Sequence, residues 1–327
     1  MNRRQFIAAA SMVSFWPEIG AEASGESGSF ALPPLPSHLP EAWHRAERID
    51  LWDDAPPGAE SFRAKQRPEG MLDVLLSNVR KPNLRIFRPE RSNGRGLLII
   101  PGGAYEFVSV ANEGIAVAET FCPHGFTVFV LTYRLPDEGW TNRADVPLQD
   151  AQRAMRKIRH SARNFEINGE SLAIVGFSAG GHLAATLTTG FGEHVYRARD
   201  DIDELSAKPH SAALIYPVIT MDSRWTHGAS RDALLGESPL EADILRRSPD
   251  RHVTETTPPV FLVHAVDDPA VPVENSLLMF DAVRKAQIPT EAHFLQEGGH
   301  AFGVGVAGTS TGLWPDLYLA WSGRLPA

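Results

Sequence analysis

One stretch restricts the folds open to this chain more than any other: Leu172-Ala173-Ile174-Val175-Gly176-Phe177-Ser178-Ala179-Gly180-Gly181-His182-Leu183-Ala184-Ala185. It opens with an apolar run of strand length, without the polar alternation of a half-exposed strand, and closes with small residues that suit a tightly packed helix. Between them stands Gly-x-Ser-x-Gly. A serine in this context occupies a sharp, strained strand-to-helix turn, and the glycines two before and two after it remove side chains that would collide across the turn. Ser178 is therefore the candidate nucleophile. His182, one turn into the helix, is expected to pack or bond locally.

The rest of the chain is patterned in the same way. Strand-length apolar runs fall near residues 73–76, 84–87, 97–100, 127–132, 172–175, 212–215, 260–264 and 291–295. Helical spacing appears over 111–121, 146–162, 180–189, 275–286 and 313–322, with Leu148, Ala151, Met155 and Ile158 on one stripe. Strands and helices in alternation predict an α/β fold with a mostly parallel central sheet of about eight strands, covered by helices on both faces. Residues 24–68, rich in Pro, Gly and Ser, read as an irregular N-terminal arm, and 69–327 as the catalytic domain. The stretch 217–251 exceeds what one crossover needs and includes a helix near 240–246, so it reads as a small cap.

Composition narrows the partners. A net charge of −9 with dispersed Lys and Arg gives no footprint for nucleic acid or an anionic membrane. The single cysteine, Cys122, has no intramolecular partner, and no Cys/His cluster has zinc spacing, so neither metal nor cofactor is expected.

A nucleophilic serine needs a base within hydrogen-bond reach and a group that orients the base, here in the chain order Ser, acid, His. Val260-Phe261-Leu262-Val263-His264-Ala265-Val266-Asp267-Asp268-Pro269-Ala270-Val271-Pro272 runs from a strand into a turn bearing two carboxylates. Asp268 is chosen on the pattern Asp-x-x-Val-Pro, with Asp267 as the alternative. Further on, Glu297-Gly298-Gly299-His300 places a histidine on a glycine-rich loop after the last strand, and His300 is the expected base. The oxyanion formed on attack needs backbone N–H donors. Leu97-Leu98-Ile99-Ile100-Pro101-Gly102-Gly103-Ala104-Tyr105 supplies the loop, and the hole is assigned to the N–H groups of Gly103, Ala104 and Ala179.

With these pieces in place, the sequence resembles the acetyl-esterase and acetylxylan-esterase-like branch of the α/β-hydrolases, related to feruloyl-esterase-like hydrolases and sometimes labelled xylanase. The resemblance is carried by Leu51-Trp52, Ala55-Pro56, Asn78-Val79, the Pro101–Tyr105 loop, Glu113-Gly114, Tyr133-Arg134-Leu135-Pro136, Pro147-Leu148-Gln149-Asp150-Ala151, the serine turn, Tyr216-Pro217, Thr257-Pro258-Pro259 and Gly299-His300. It implies the α/β-hydrolase fold and removal of short acyl groups, acetyl above all, from carbohydrate or related small-molecule or polysaccharide esters. Two positions depart from the pattern: Ala104, where Gly is usual, and Ala301, where Gly commonly follows the histidine. Both changes narrow the acyl pocket and favour acetate over ferulate. Tyr105 and Glu113 are candidates for shaping the pocket or for packing, and Trp225, His227, Ser230 and Arg231 for lining the entrance. The alternatives are a feruloyl esterase, a prolyl-oligopeptidase-like peptidase and a non-catalytic binding protein on the same scaffold.

The N-terminus stands apart. Asn2-Arg3-Arg4-Gln5-Phe6-Ile7 precedes an apolar run to Trp16 that is too short to span a bilayer, and Ala21-Glu22-Ala23 offers a small-x-small cleavage pattern. Residues 1–23 are read as a twin-arginine-type signal peptide, placing the mature chain in the periplasm or outside the cell. Replacing Arg3 and Arg4 with Lys is expected to hold the protein in the cytoplasm. Fractionation showing undiminished export of that variant would remove the signal.

Overall fold

The computed structural model describes residues 34–326. The proposed signal peptide lies outside them. Ten strands form within this range: β1 (Glu47–Asp50), β2 (Leu75–Leu76), β3 (Asn83–Phe87), β4 (Gly94–Ile100), β5 (Val108–Ser109), β6 (Thr127–Thr132), β7 (Ile167–Phe177), β8 (Ala212–Ile215), β9 (Val260–Ala265) and β10 (Thr290–Leu295). Eight of them make one sheet in the order β1-β3-β6-β4-β7-β8-β9-β10. The first two pairings are antiparallel and the rest are parallel. In β4, consecutive residues Leu97, Leu98, Ile99 and Ile100 are all fully buried, which requires cover on both faces. Helices Val146–His160 and Ser178–Gly190 pack on β7, Ala116–Phe121 on β6 and Glu274–Lys285 on β9 and β10. Between β8 and β9 lie two short helices, Gly228–Leu235 and Glu241–Arg246.

Strand order decides where a site can form. From β4 the chain crosses to β6 on one side, then returns to β7 on the other. Loops leaving the C-terminal ends of β4 and β7 therefore diverge and leave a crevice between them, the position where ligands bind open α/β sheets. These are the proposed oxyanion loop and the serine turn.

Two expectations need correction. The stretch 73–76 contributes no strand to the main sheet: only Leu75–Leu76 is extended, paired with Val108–Ser109 in a separate ribbon. The eighth strand of the main sheet comes instead from residues expected to be irregular. Within the 24–68 arm, Glu41–Arg45 is helical and Glu47–Asp50 forms the edge strand β1, antiparallel to β3. An edge strand exposes much of its surface, so Glu47-Arg48-Ile49-Asp50 lacks the apolar signature of its buried neighbours. Trp43, Leu51 and Trp52 nevertheless join the main core.

A buried ion pair ties this segment down. Arg134 and Asp150 are both inaccessible to solvent and 2.8 Å apart. The Asp150 carboxylate also accepts from the Trp52 indole N–H at 2.8 Å and the Arg134 backbone N–H at 2.9 Å. Arg134 donates further to the Gln149 Oε1 and the Pro57 carbonyl, so every part of its guanidinium has a partner. Three separate motif pieces, Leu51-Trp52, Tyr133-Arg134 and Gln149-Asp150, thus meet at one point. Removing one partner of such a pair strands a buried charge and costs about 3–5 kcal/mol. Asp150→Ala is expected to lower unfolding stability in urea by that amount, and a loss under about 1 kcal/mol would show that water or a rearranged side chain replaces the carboxylate.

Candidate active site

Ser178 begins the Ser178–Gly190 helix directly after β7, in the left-handed region at φ +51°, a conformation that costs a non-glycine residue about 1–2 kcal/mol. The neighbouring glycines show what holds it there. A Cβ on Gly180 would lie 2.2 Å from the Ile100 carbonyl oxygen, and one on Gly176 would lie 2.5 Å from the Gly180 carbonyl oxygen. The helix can approach β4 at Gly180 and β7 at Gly176 this closely only because those two side chains are missing. The Ser178 carbonyl is fixed by the Val218 N–H at 3.1 Å.

The expected acid and base converge on this serine. His300 Nε2 lies 2.9 Å from Ser178 Oγ, and His300 Nδ1 lies 2.6 Å from Asp268 Oδ2. Asp268 is anchored from below, its Oδ1 accepting the N–H groups of Ala270 and Val271, each at 2.9 Å. His264 Nε2 stands 3.3 Å from Oδ2 of the same carboxylate. Burial alone would push Asp268 up, but the nearby His264 and the hydrogen bonds from His300 and the Val271 N–H outweigh it and hold the carboxyl well below the usual carboxylate range. Asp267 is exposed, and its Oδ1 accepts the Gly299 N–H at 2.9 Å, so it steadies the histidine loop while Asp268 meets the imidazole.

The loop after β4 bends through three residues of positive φ: Gly103 at +123°, Ala104 at +56° and Tyr105 at +63°. The Gly102 N–H is taken by Glu113 Oε2 at 2.7 Å, and the Glu106 and Phe107 N–H groups turn back to the Gly103 carbonyl. The N–H groups of Gly103 and Ala104 have no acceptor among the described residues. That of Ala179, in the first turn of its helix, has no intrahelical acceptor. Ala104 and Ala301, the two departures from the family pattern, both lie in the left-handed region, Ala301 at +60°. Glycine is usual there because it alone adopts that region without strain.

Several residues singled out in the sequence take other places. His182 is fully buried; its Nε2–H donates to the Arg247 carbonyl at 2.7 Å, leaving Nδ1 to accept from the Tyr105 hydroxyl at 2.7 Å. Burial lowers it to about 4, so it is a neutral brace between the oxyanion loop and the segment before β9. Cys122 lies away from the serine, its thiol directed at the Phe87 carbonyl and raised by burial to about 11. Of the entrance candidates, Trp225 is exposed, Arg231 donates to the Met221 carbonyl, and His227 Nδ1 pairs with Ser230 Oγ at 2.8 Å. Burial and the nearby His300 bring His227 down to about 4, against the pull of Asp268.

Two supports of the site carry no motif of their own in the sequence. His264, read only as a strand residue, lies under the acid. Tyr216, noted only as part of Tyr216-Pro217, stacks edge-on against His300 with ring centroids 4.9 Å apart. Both stand at the C-terminal end of a sheet strand, which is the one sequence signal that would have marked them. Among the described residues, no group of three or more His, Cys, Asp or Glu side chains is arranged to hold a metal ion.

Known proteins resemble this chain over most of its length. Over 268 residues, 82% of this chain, the sequence is 35% identical to endo-1,4-beta-xylanase B of Butyrivibrio fibrisolvens, covering 40% of that protein. It is 31% identical to an acetylxylan esterase of Xylanibacter ruminicola, covering 70% of this chain and 45% of the other. The chain thus spans less than half the length of these two relatives. The crystal structure of an acetyl ester-xyloside bifunctional hydrolase from Caldicellulosiruptor lactoaceticus superposes with a TM-score of 0.71 at 30% identity, covering 85% of this chain and 95% of that one. The BD-FAE family model matches residues 84–283, from β3 to the helix after the acid turn. With an α/β-hydrolase sheet, a serine turn after β7 and a match over well more than half of its length, the chain belongs to the BD-FAE family.

Proposed function

We propose that this protein is a serine carboxylic-ester hydrolase that removes short acyl groups, acetyl first among them, from carbohydrate or related esters. The observation that carries the proposal is the continuous line from Ser178 Oγ through His300 to Asp268, with contacts of 2.9 and 2.6 Å. Ser178 attacks the ester carbonyl as His300 Nε2 accepts its proton, and Asp268 stabilises the imidazolium. The N–H groups of Gly103, Ala104 and Ala179 receive the oxyanion, each donor being worth about 3 kcal/mol in the transition state. His300 then protonates the departing alcohol. Water, deprotonated by the same imidazole, releases the acid from Ser178 in the second half of the cycle.

The relatives named acetylxylan esterase and acetyl ester-xyloside hydrolase support a carbohydrate alcohol half. Glycosidic cleavage would call for two carboxylates flanking the sugar linkage. Of the carboxylates at this site, Asp268 is engaged with His300 and Glu113 with Gly102 and Tyr216. Methyl groups at Ala104 and Ala301 favour a small acyl group. Export through the twin-arginine signal of residues 1–23 would bring the enzyme to such a substrate outside the cytoplasm, and it rests on the sequence motif alone.

Ser178→Ala is expected to lower kcat on p-nitrophenyl acetate by about 10⁴-fold or more, and retention of activity would refute the mechanism. Because Asp268 stays ionised far into the acid range, its own protonation should contribute nothing to the fall of kcat/KM with decreasing pH. The acid limb should have a slope of about 1 on a logarithmic plot, and a slope of about 2 would place a second titrating group in the mechanism. Acetylated xylan should be turned over with higher kcat/KM than methyl ferulate; the reverse order would overturn the acyl-group assignment.

A further inference from the structure

The chemistry of ester cleavage leaves one buried charge beside the site without a task. Glu113 is 3% exposed and sits on the π-helical turn Ala111–Ile115, an irregularity often found at functional sites. Its Oε2 accepts the Gly102 N–H at 2.7 Å and its Oε1 accepts the Tyr216 hydroxyl at 2.8 Å. The Tyr216 oxygen in turn accepts the Gly303 N–H at 2.9 Å, and the Gly303 carbonyl accepts the Trp314 indole N–H at 2.9 Å. The adjacent Asn112 donates from Nδ2 to the Ala301 carbonyl at 3.0 Å.

These bonds reach both parts of the machinery. Gly102 immediately precedes the donors Gly103 and Ala104, and a Cβ placed on it would stand 2.8 Å from the Ser178 Cβ. Ala301 follows His300 directly and Gly303 lies three residues after it, and the Tyr216 ring that bears the linking hydroxyl is the one packed on the imidazole. Gly103, Ala104, Ala301 and Gly303 all hold positive φ, so neither loop is kept in shape by regular secondary structure. With its N–H taken by Glu113, Gly102 has no donor left for an oxyanion, while the next two N–H groups remain free.

We propose that Glu113 is a positioning residue for ester hydrolysis, holding the oxyanion loop through Gly102 and the His300 loop through Tyr216 so that donors and base keep one common geometry. The inference rests on the esterase reading. A carboxylate suits the place because it accepts at both oxygens, whereas an amide offers one acceptor and would turn a donor toward the other partner. Burial raises the Glu113 carboxyl, while the Tyr216 hydroxyl, the Gly102 N–H and the charge of a protonated His300 act in the opposite direction. Burying a carboxylate is costly, and only charge-assisted hydrogen bonds of this kind offset it.

The test compares Glu113→Gln and Tyr216→Phe with wild type on p-nitrophenyl acetate, together with inhibition by an aryl trifluoromethyl ketone. That ketone adds to Ser178 and places its oxygen where the oxyanion forms. In both variants kcat is expected to fall about 10- to 100-fold with KM changed less than about threefold. In Glu113→Gln the ketone should bind more weakly by a factor similar to the loss in kcat. A structural role alone would lower the melting temperature and leave these ratios in place, so kcat within about twofold of wild type overturns the inference whatever the melting temperature. A loss of kcat in Glu113→Gln with undiminished ketone affinity overturns it as well, because the oxyanion loop would then not depend on Glu113. Should Glu113→Gln fail to fold, Tyr216→Phe, which deletes one hydroxyl, is judged by its kcat and KM ratios. A wild type that turns over no ester removes the esterase reading and this inference together, whereas an active wild type beside an unimpaired Glu113→Gln removes the inference alone.

Discussion

The approach of the Ser178–Gly190 helix to the end of β4 sets the geometry on which everything else depends. At Gly180 the backbone lies so near the Ile100 and Pro101 carbonyls that any side chain would sit at 2.2–2.3 Å from them. This contact brings the serine, the first N–H groups of its helix and the loop after β4 together in a few ångströms. It also forces Ser178 into a left-handed conformation, and the strain is held by the buried strand on one side and the helix on the other. A looser packing would relax the serine and separate it from its donors at once.

Around that contact, buried charge is handled in one consistent way. Asp268, Glu113 and Asp150 lie out of water, and each accepts backbone N–H groups as well as side-chain donors. Glu138 follows the same rule, accepting the N–H groups of Asn78 and Val79, although burial lifts it to about 7. Carboxylates held in this manner fix irregular backbone that hydrophobic packing cannot fix, because the bonds are directional and leaving one unmade is costly. Loops at the C-terminal ends of the strands therefore keep definite shapes without being part of the sheet.

Legibility from sequence followed burial. Fully buried central strands such as Thr127–Thr132 and Ala212–Ile215 stood out as unbroken apolar runs, and their ends were readable to the residue. The edge strand Glu47–Asp50 was invisible, since a strand half in water carries Glu, Arg and Asp and imitates a loop. The serine, the acid turn and the histidine loop were each legible because glycines and turn residues mark where strained backbone is needed. Choosing Asp268 over Asp267 rested on a local pattern, and the reason for it lies in three dimensions: one carboxylate reaches the imidazole while its neighbour caps the Gly299 N–H.

By itself the sequence determined the class of fold, the chain order of nucleophile, acid and base, and the loop from which oxyanion donors must come. These follow from period, apolar runs and turn chemistry, all of which are local. Only the tertiary structure decided that Trp52, Arg134 and Asp150 share one buried node, that Tyr216 packs on His300, and that Glu113 stands between two loops far apart in the chain. Such partnerships join residues separated by dozens of positions, and no pattern within a window of sequence records which distant groups a fold will bring to the same spot.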